Sequence, residues 1–151
     1  MWKNTCSSFP AILLIFTLLP ALSISKVHIY VTNSVPSDSP NPVTTHCQSR
    51  DDDLGYHTLH VNQYITWSFH PSLGGSTLFF CHLWWGDKNV AFNAYEEKRF
   101  CVRRGKLPWQ IKSNTCYWES RADGIYFNKV NDPNDSPSWV KNYPWTVSSV
   151  K

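Results

Sequence analysis

Apolar and polar residues alternate with a period of two along much of the chain. In VHIYVTN, Val27, Ile29 and Val31 fall on one side, and His28, Tyr30 and Thr32 on the other. In YITWSFH, Ile65, Trp67 and Phe69 oppose Tyr64, Thr66 and Ser68, and NVAFNAY alternates again. A strand turns successive side chains to opposite faces, so this period marks half-buried antiparallel strands. TLFFCHLWW is apolar on both sides and reads as a central strand. Its adjacent Trp84 and Trp85 must point oppositely, so at most one of them belongs to a one-sided core.

Turn signals fall between these runs. Gly74-Gly75 precedes TLFFCHLWW, Gly86-Asp87 follows it, and Ala122-Asp123-Gly124 separates CYWESR from IYFNKV. Glycine there permits the positive φ of tight turns. No segment sustains a helical period. Short strands punctuated at short intervals predict an all-β protein, a small disulfide-stabilised antiparallel β-sandwich. Two stretches resist the strand reading. Residues 33–42, NSVPSDSPNP, are expected to be a mobile connection, because proline cannot donate to a sheet ladder. Residues 131–151 carry Pro133, Pro137 and Pro144 and are expected to form a Pro-rich C-terminal tail, extended or partly disordered. The sandwich is therefore expected over 26–130.

The first 25 residues follow different rules. Lys3 precedes the apolar run 10–22, and small residues follow at Ala21, Ser23 and Ser25. This is the layout of a secretory signal peptide, too short to span a bilayer comfortably and broken by Pro20. Residues 1–25 are expected to be that signal, with no membrane insertion after its removal and a secreted, extracellular product. Cys6 leaves with it. Cys47, Cys81, Cys101 and Cys116 remain, an even set that reads as two disulfides in a secreted chain. Spacing leaves the connectivity open; the preferred pairing is Cys47 with Cys116 and Cys81 with Cys101. No CxxC pair favours zinc. A formal net charge of +3, with scattered basic residues, gives no argument for a nucleic-acid partner.

The most distinctive local pattern is HCQSRDDDLG, residues 46–55. With LFFCHLWW, FNAY, the later Cys101 and CYWESRADGIYF, it resembles the plant self-incompatibility protein family, the S-protein homologues, over about 27–127. The order of the motifs carries the resemblance more than any one of them. It implies a small secreted β-sandwich held by disulfides, with variable loops. It also implies a recognition or signalling ligand, whose founding members are released by the stigma and recognised by a pollen-borne membrane receptor. The partner expected here is a plant membrane receptor, and its identity does not transfer with the fold.

Individual residues add less. Asp51, Asp52 and Asp53 lack the calcium-loop spacing and read as a turn completed by Gly55. No nucleophile elbow, zinc-protease motif or phosphate loop is present, and scattered histidines and carboxylates do not form a catalytic constellation. The chain is expected to be no enzyme and to need no cofactor or metal. Arg103, Arg104 and Lys106 form the one dense basic cluster, a candidate rim for an acidic partner. Trp109, between Pro108 and Gln110, is the tryptophan expected to be exposed, whereas Trp67 and Trp118 are expected in the core. Exposed rings would also suit a secreted carbohydrate- or cell-wall-binding module, the alternative function. Asn134-Asp135-Ser136 is a glycosylation sequon, with Pro137 lowering its use.

Overall fold

The computed structural model of the chain describes residues 26–72, 74, 76–96, 103–104, 111–128 and 138–147. Among these, every regular element is a strand: β1 (Val27–Asn33), β2 (Val43–Gln48), β3 (Asp53–Leu59), β4 (Tyr64–Phe69), β5 (Leu78–Trp85), β6 (Lys88–Glu96), β7 (Arg103–Arg104), β8 (Ile111–Ser113), β9 (Thr115–Arg121), β10 (Gly124–Asn128), β11 (Trp139–Pro144) and β12 (Thr146–Val147). One sheet has the order β11-β10-β9-β1-β4, a second has β12-β6-β5-β2-β3, and β7 pairs with β8 alone.

The alternation read from sequence is the burial pattern found. Val27, Ile29 and Val31 are fully buried, and the intervening residues of β1 are only partly covered. Their partners in the opposite sheet are Val43, Cys47, Phe79, Cys81, Leu83, Phe92 and Ala94. Trp118 is the largest side chain with no exposure. It packs against Phe92 and Phe127, with ring centroids at 4.9 Å and 4.7 Å. Its indole N–H donates to the Ala94 carbonyl at 2.9 Å, so the polar end of the ring is satisfied inside the core and ties the two sheets together.

The pairing departs from the antiparallel expectation at one place. β1 pairs with β4 antiparallel but with β9 parallel, Val31 lying beside Trp118. Parallel neighbours need a long connection, and here it runs through β2, β3, β5 and β6 of the second sheet.

The disulfide expectation is corrected. Cys47 is bonded to Cys81, 34 residues on, with Cα atoms 4.0 Å apart. The two stand directly opposite in the β2–β5 ladder. That register puts both sulfurs within bonding reach, whereas Cys116 projects from the other sheet, beside Ile29. Cys47 with Cys116 and Cys81 with Cys101 are therefore both excluded as pairs. Cys116 is itself disulfide-bonded, and Cys101 lies outside the described residues.

Two segments expected to be loose are built into the sandwich. In the 33–42 connection, Val35 is buried, and Ser39 Oγ accepts a 2.8 Å hydrogen bond from the Trp85 indole. Asn33, fully buried, donates through Nδ2 to the Leu59 carbonyl at 2.8 Å and accepts from the Val35 N–H at 3.1 Å. The first bond holds the end of β1 to the end of β3 in the other sheet, and the second fixes the turn that follows β1. Past residue 130, β11 pairs with β10 and β12 pairs with β6, so the last strands enter both sheets. Between them the Trp145 indole donates to the Arg121 carbonyl at 2.7 Å. Proline is tolerated here because Pro144 ends an outer strand. Gly124 meets this segment so closely that a Cβ there would lie 2.3 Å from the Tyr143 carbonyl oxygen.

Candidate functional site

The 46–55 block forms the turn between β2 and β3. Ser49 organises it: its N–H donates to the Asp52 carbonyl at 2.7 Å, and its Oγ accepts from the N–H groups of Asp52 at 3.0 Å and Asp51 at 3.3 Å. Asp53 Oδ1 accepts from the Gly55 N–H at 2.8 Å and pairs with His46 Nε2 at 2.7 Å. These bonds, the Gly55 N–H first and His46 second, hold the Asp53 carboxyl below the ordinary carboxylate range. Gly55 has φ +73°, a conformation that glycine adopts at no steric cost. Asp51 turns away to Arg50, at 3.2 Å and fully in solvent. The three aspartates therefore serve the turn rather than converge.

This turn fixes what stands on the outer face of the second sheet. The ladder places His46 opposite both Tyr56 on β3 and His82 on β5. The His46 and Tyr56 rings stack at 4.4 Å and 15°. His82 stacks on Trp84 at 3.9 Å and 21°, and its Nε2 lies 3.2 Å from Asn89 Oδ1. Tyr56 and Trp84 complete the cluster at 5.9 Å, with Tyr56 70% exposed. Trp85, one residue on, points the other way and packs against the core beside Trp145. The opposed directions of the two tryptophans are thus as the alternation required.

The first sheet carries a second aromatic row. Tyr30 on β1 lies between Tyr64 on β4 at 5.7 Å and Tyr117 on β9 at 5.1 Å. Farther across, Arg121 grips Glu119 through Nη2 at 2.7 Å and lies over the rings of Tyr126 and Trp139, at 4.4 Å and 5.1 Å. Asp123 accepts from Lys141 at 3.0 Å and from the Tyr126 hydroxyl at 2.8 Å. Lys141, then Tyr126, lowers the Asp123 pKa, and the same hydrogen bond raises that of Tyr126. The arginine is held by two aromatic rings and a carboxylate, so it braces the outer surface.

The residues singled out from sequence fall elsewhere. Arg103 and Arg104 form β7, opposite Ser113 and Ile111. Lys106, Trp109 and Asn134 lie outside the described residues. The His46, Tyr56, His82 and Trp84 cluster was not foreseen, because its members come together only through the β3-β2-β5 register. The one signal for it was that Trp84 and Trp85 must face opposite ways, which sets one of them outside a one-sided core.

The chain and its fold have relatives. A family model described as plant self-incompatibility protein S1 matches residues 28–145. From Arabidopsis thaliana, S-protein homolog 24 is 31% identical over 129 residues, 80% of this chain and 80% of that protein. S-protein homolog 8 is 37% identical over 105 residues, 68% and 71% of the two chains. S-protein homolog 5 is 36% identical over 83 residues, 55% of this chain and 58% of that protein. A solved self-incompatibility protein homologue, described as one of a widespread family of small, highly stable, secreted plant proteins, shares the fold. Its TM-score is 0.57 at 17% identity, covering 83% of this chain and 98% of that one.

Proposed function

Because the chain belongs to the plant self-incompatibility protein S1 family, we propose that it is a secreted, non-catalytic recognition ligand bound by a plant membrane receptor. The observation that carries this reading is the outward-facing cluster of Tyr56, Trp84, His46 and His82 on the second sheet, in which Tyr56 is exposed and the other three are half-buried. Aromatic residues dominate the energetic centres of protein interfaces. A sheet with a fixed turn presents them already ordered, so little side-chain entropy is lost on binding. Polar groups that fix orientation surround them, Asp53 on His46 and Asn89 on His82.

The proposal includes Arg103, Arg104, Lys106 and Trp109 as a second contact, for an acidic region of the same receptor.

The test is binding of labelled, oxidised mature protein to intact plant cells, with unlabelled protein as competitor. The expected result is saturable, protease-sensitive binding that Tyr56→Ala weakens about tenfold or more, with an unchanged melting curve. Binding that survives surface proteolysis but is lost with wall polysaccharide overturns this reading in favour of the carbohydrate- or cell-wall-binding module.

A further inference from the structure

The outer strands of the two sheets are β11, β4, β12 and β3. An outer strand presents a row of unpaired N–H and C=O groups, and proteins blunt such rows with charge, proline, bulges or brevity. Three of the four are blunted. β11 carries Lys141 and Pro144 and shifts register against β10. β12 has two residues. β3 begins at Asp53, contains Gly55 in the left-handed region, and its ladder with β2 is bulged.

β4 has none of these devices. YITWSF contains no charged residue and no proline, and its six-residue register with β1 is unbroken. The Asn33 N–H donates to the Gln63 carbonyl at 2.8 Å. Antiparallel bonding alternates, so from that pair onward Ile65, Trp67 and Phe69 bond to β1, and the backbone groups of Tyr64, Thr66 and Ser68 point away from the sheet. Among the described residues no strand meets them. Among the described residues, the interior is also left partly open on this side. Ile65, Trp67 and Phe69 face the core yet stay partly exposed, and the Trp67 indole N–H has no hydrogen-bond partner among the described residues.

We propose that β4 is a pairing edge for a second copy of this chain, joined antiparallel about a two-fold axis at Thr66. The strand is complementary to itself. With Thr66 opposite Thr66, the outward-pointing backbone groups of Tyr64 meet those of Ser68, and Ile65 stands beside Trp67 of the second copy on the core side. An isologous contact of this kind closes on itself, and the outer strands that remain are the blunted ones. A strand without charge brings no like charges together when it meets itself. The two first sheets become one continuous sheet, and the half-covered apolar residues of each copy are covered by the other.

Thr66 is exposed, so it can be changed without disturbing the core, and it lies on the proposed axis. Sedimentation of the oxidised mature protein over a wide concentration range reads the association. The wild type is expected to shift from monomer to dimer as concentration rises. Thr66→Lys and Thr66→Asp, each placing like charges face to face, are expected to weaken dimerisation about tenfold or more, with circular dichroism unchanged. An equimolar mixture of the two variants is expected to recover the dimer. A wild type that stays monomeric throughout, a dimer indifferent to both changes, or a mixture that fails to recover overturns the proposal. The result is independent of whether a receptor binds the Tyr56 face.

Discussion

Asp53 and Asp123 show how single residues set the conditions under which the outer faces hold. Each carboxylate is stabilised in the folded chain, Asp53 chiefly by the Gly55 N–H and Asp123 chiefly by Lys141. Each therefore has a folded pKa below its unfolded value of about 3.9. A depressed carboxylate contributes stability that is present above the unfolded pKa and is lost as pH falls through the folded one. Stability against denaturant is thus expected to be level above about pH 4 on this account, and to fall below it. Asp53→Asn with Asp123→Asn should flatten that acid limb. An acid limb identical to that of the wild type would count against the assignment. Both carboxylates are in solvent, so the effect belongs to surface order and not to the core.

At the scale of elements, the Cys47–Cys81 bridge joins neighbouring strands within one sheet, and it closes a loop holding the β2–β3 turn and β4. Closing a loop of that length restricts the unfolded chain by about 3–4 kcal/mol. Cys47→Ser is expected to lower the unfolding free energy by about 2–5 kcal/mol, as loss of a native bridge in a small secreted domain does. Chemical denaturation measures it, and a variant as stable as the wild type would show the bridge to be dispensable. The strands themselves were readable in the sequence. VHIYVTN, YITWSFH and NVAFNAY form β1, β4 and most of β6, because a period of two follows from strand geometry alone. Partners were not readable, because they depend on register between distant segments. Cys47 meets Cys81 only because β2 lies antiparallel on β5, and that same ladder brings His46 to His82. Neither pairing leaves a mark in the spacing of the residues.

For the molecule as a whole, the tail expected to be extended or partly disordered is extended over 138–147 and paired into both sheets, and the reason is physical. Pro133, Pro137 and Pro144 suggest disorder when the chain is read locally, yet an outer strand can end on a proline without losing a ladder bond. The segment covers the core's flank: Tyr143 lies 5.7 Å from Phe92, and Trp145 lies 5.9 Å from Trp85. Ending the chain at residue 137 removes both rings and strips β10 of its outer neighbour, β11. A loss of about 3–5 kcal/mol is expected, as for large aromatic truncations, with a melting temperature lower by roughly 10 °C or more. Unchanged melting of the shortened chain would instead make 26–130 the full folding unit.

The place of β1 in the first sheet also orders events during synthesis. Val27–Asn33 is the first strand to emerge, yet it sits between β4 and β9, and β9 runs only from Thr115. The central β2, β3, β5 and β6 ladder of the second sheet is complete by Glu96 and holds its own cystine. Non-local pairings of this kind are slow, because the chain between them must first be confined. The growing polypeptide therefore has the parts to oxidise and assemble most of one sheet while β1, with β4 already made on one side, still waits for the sequence that will flank it on the other.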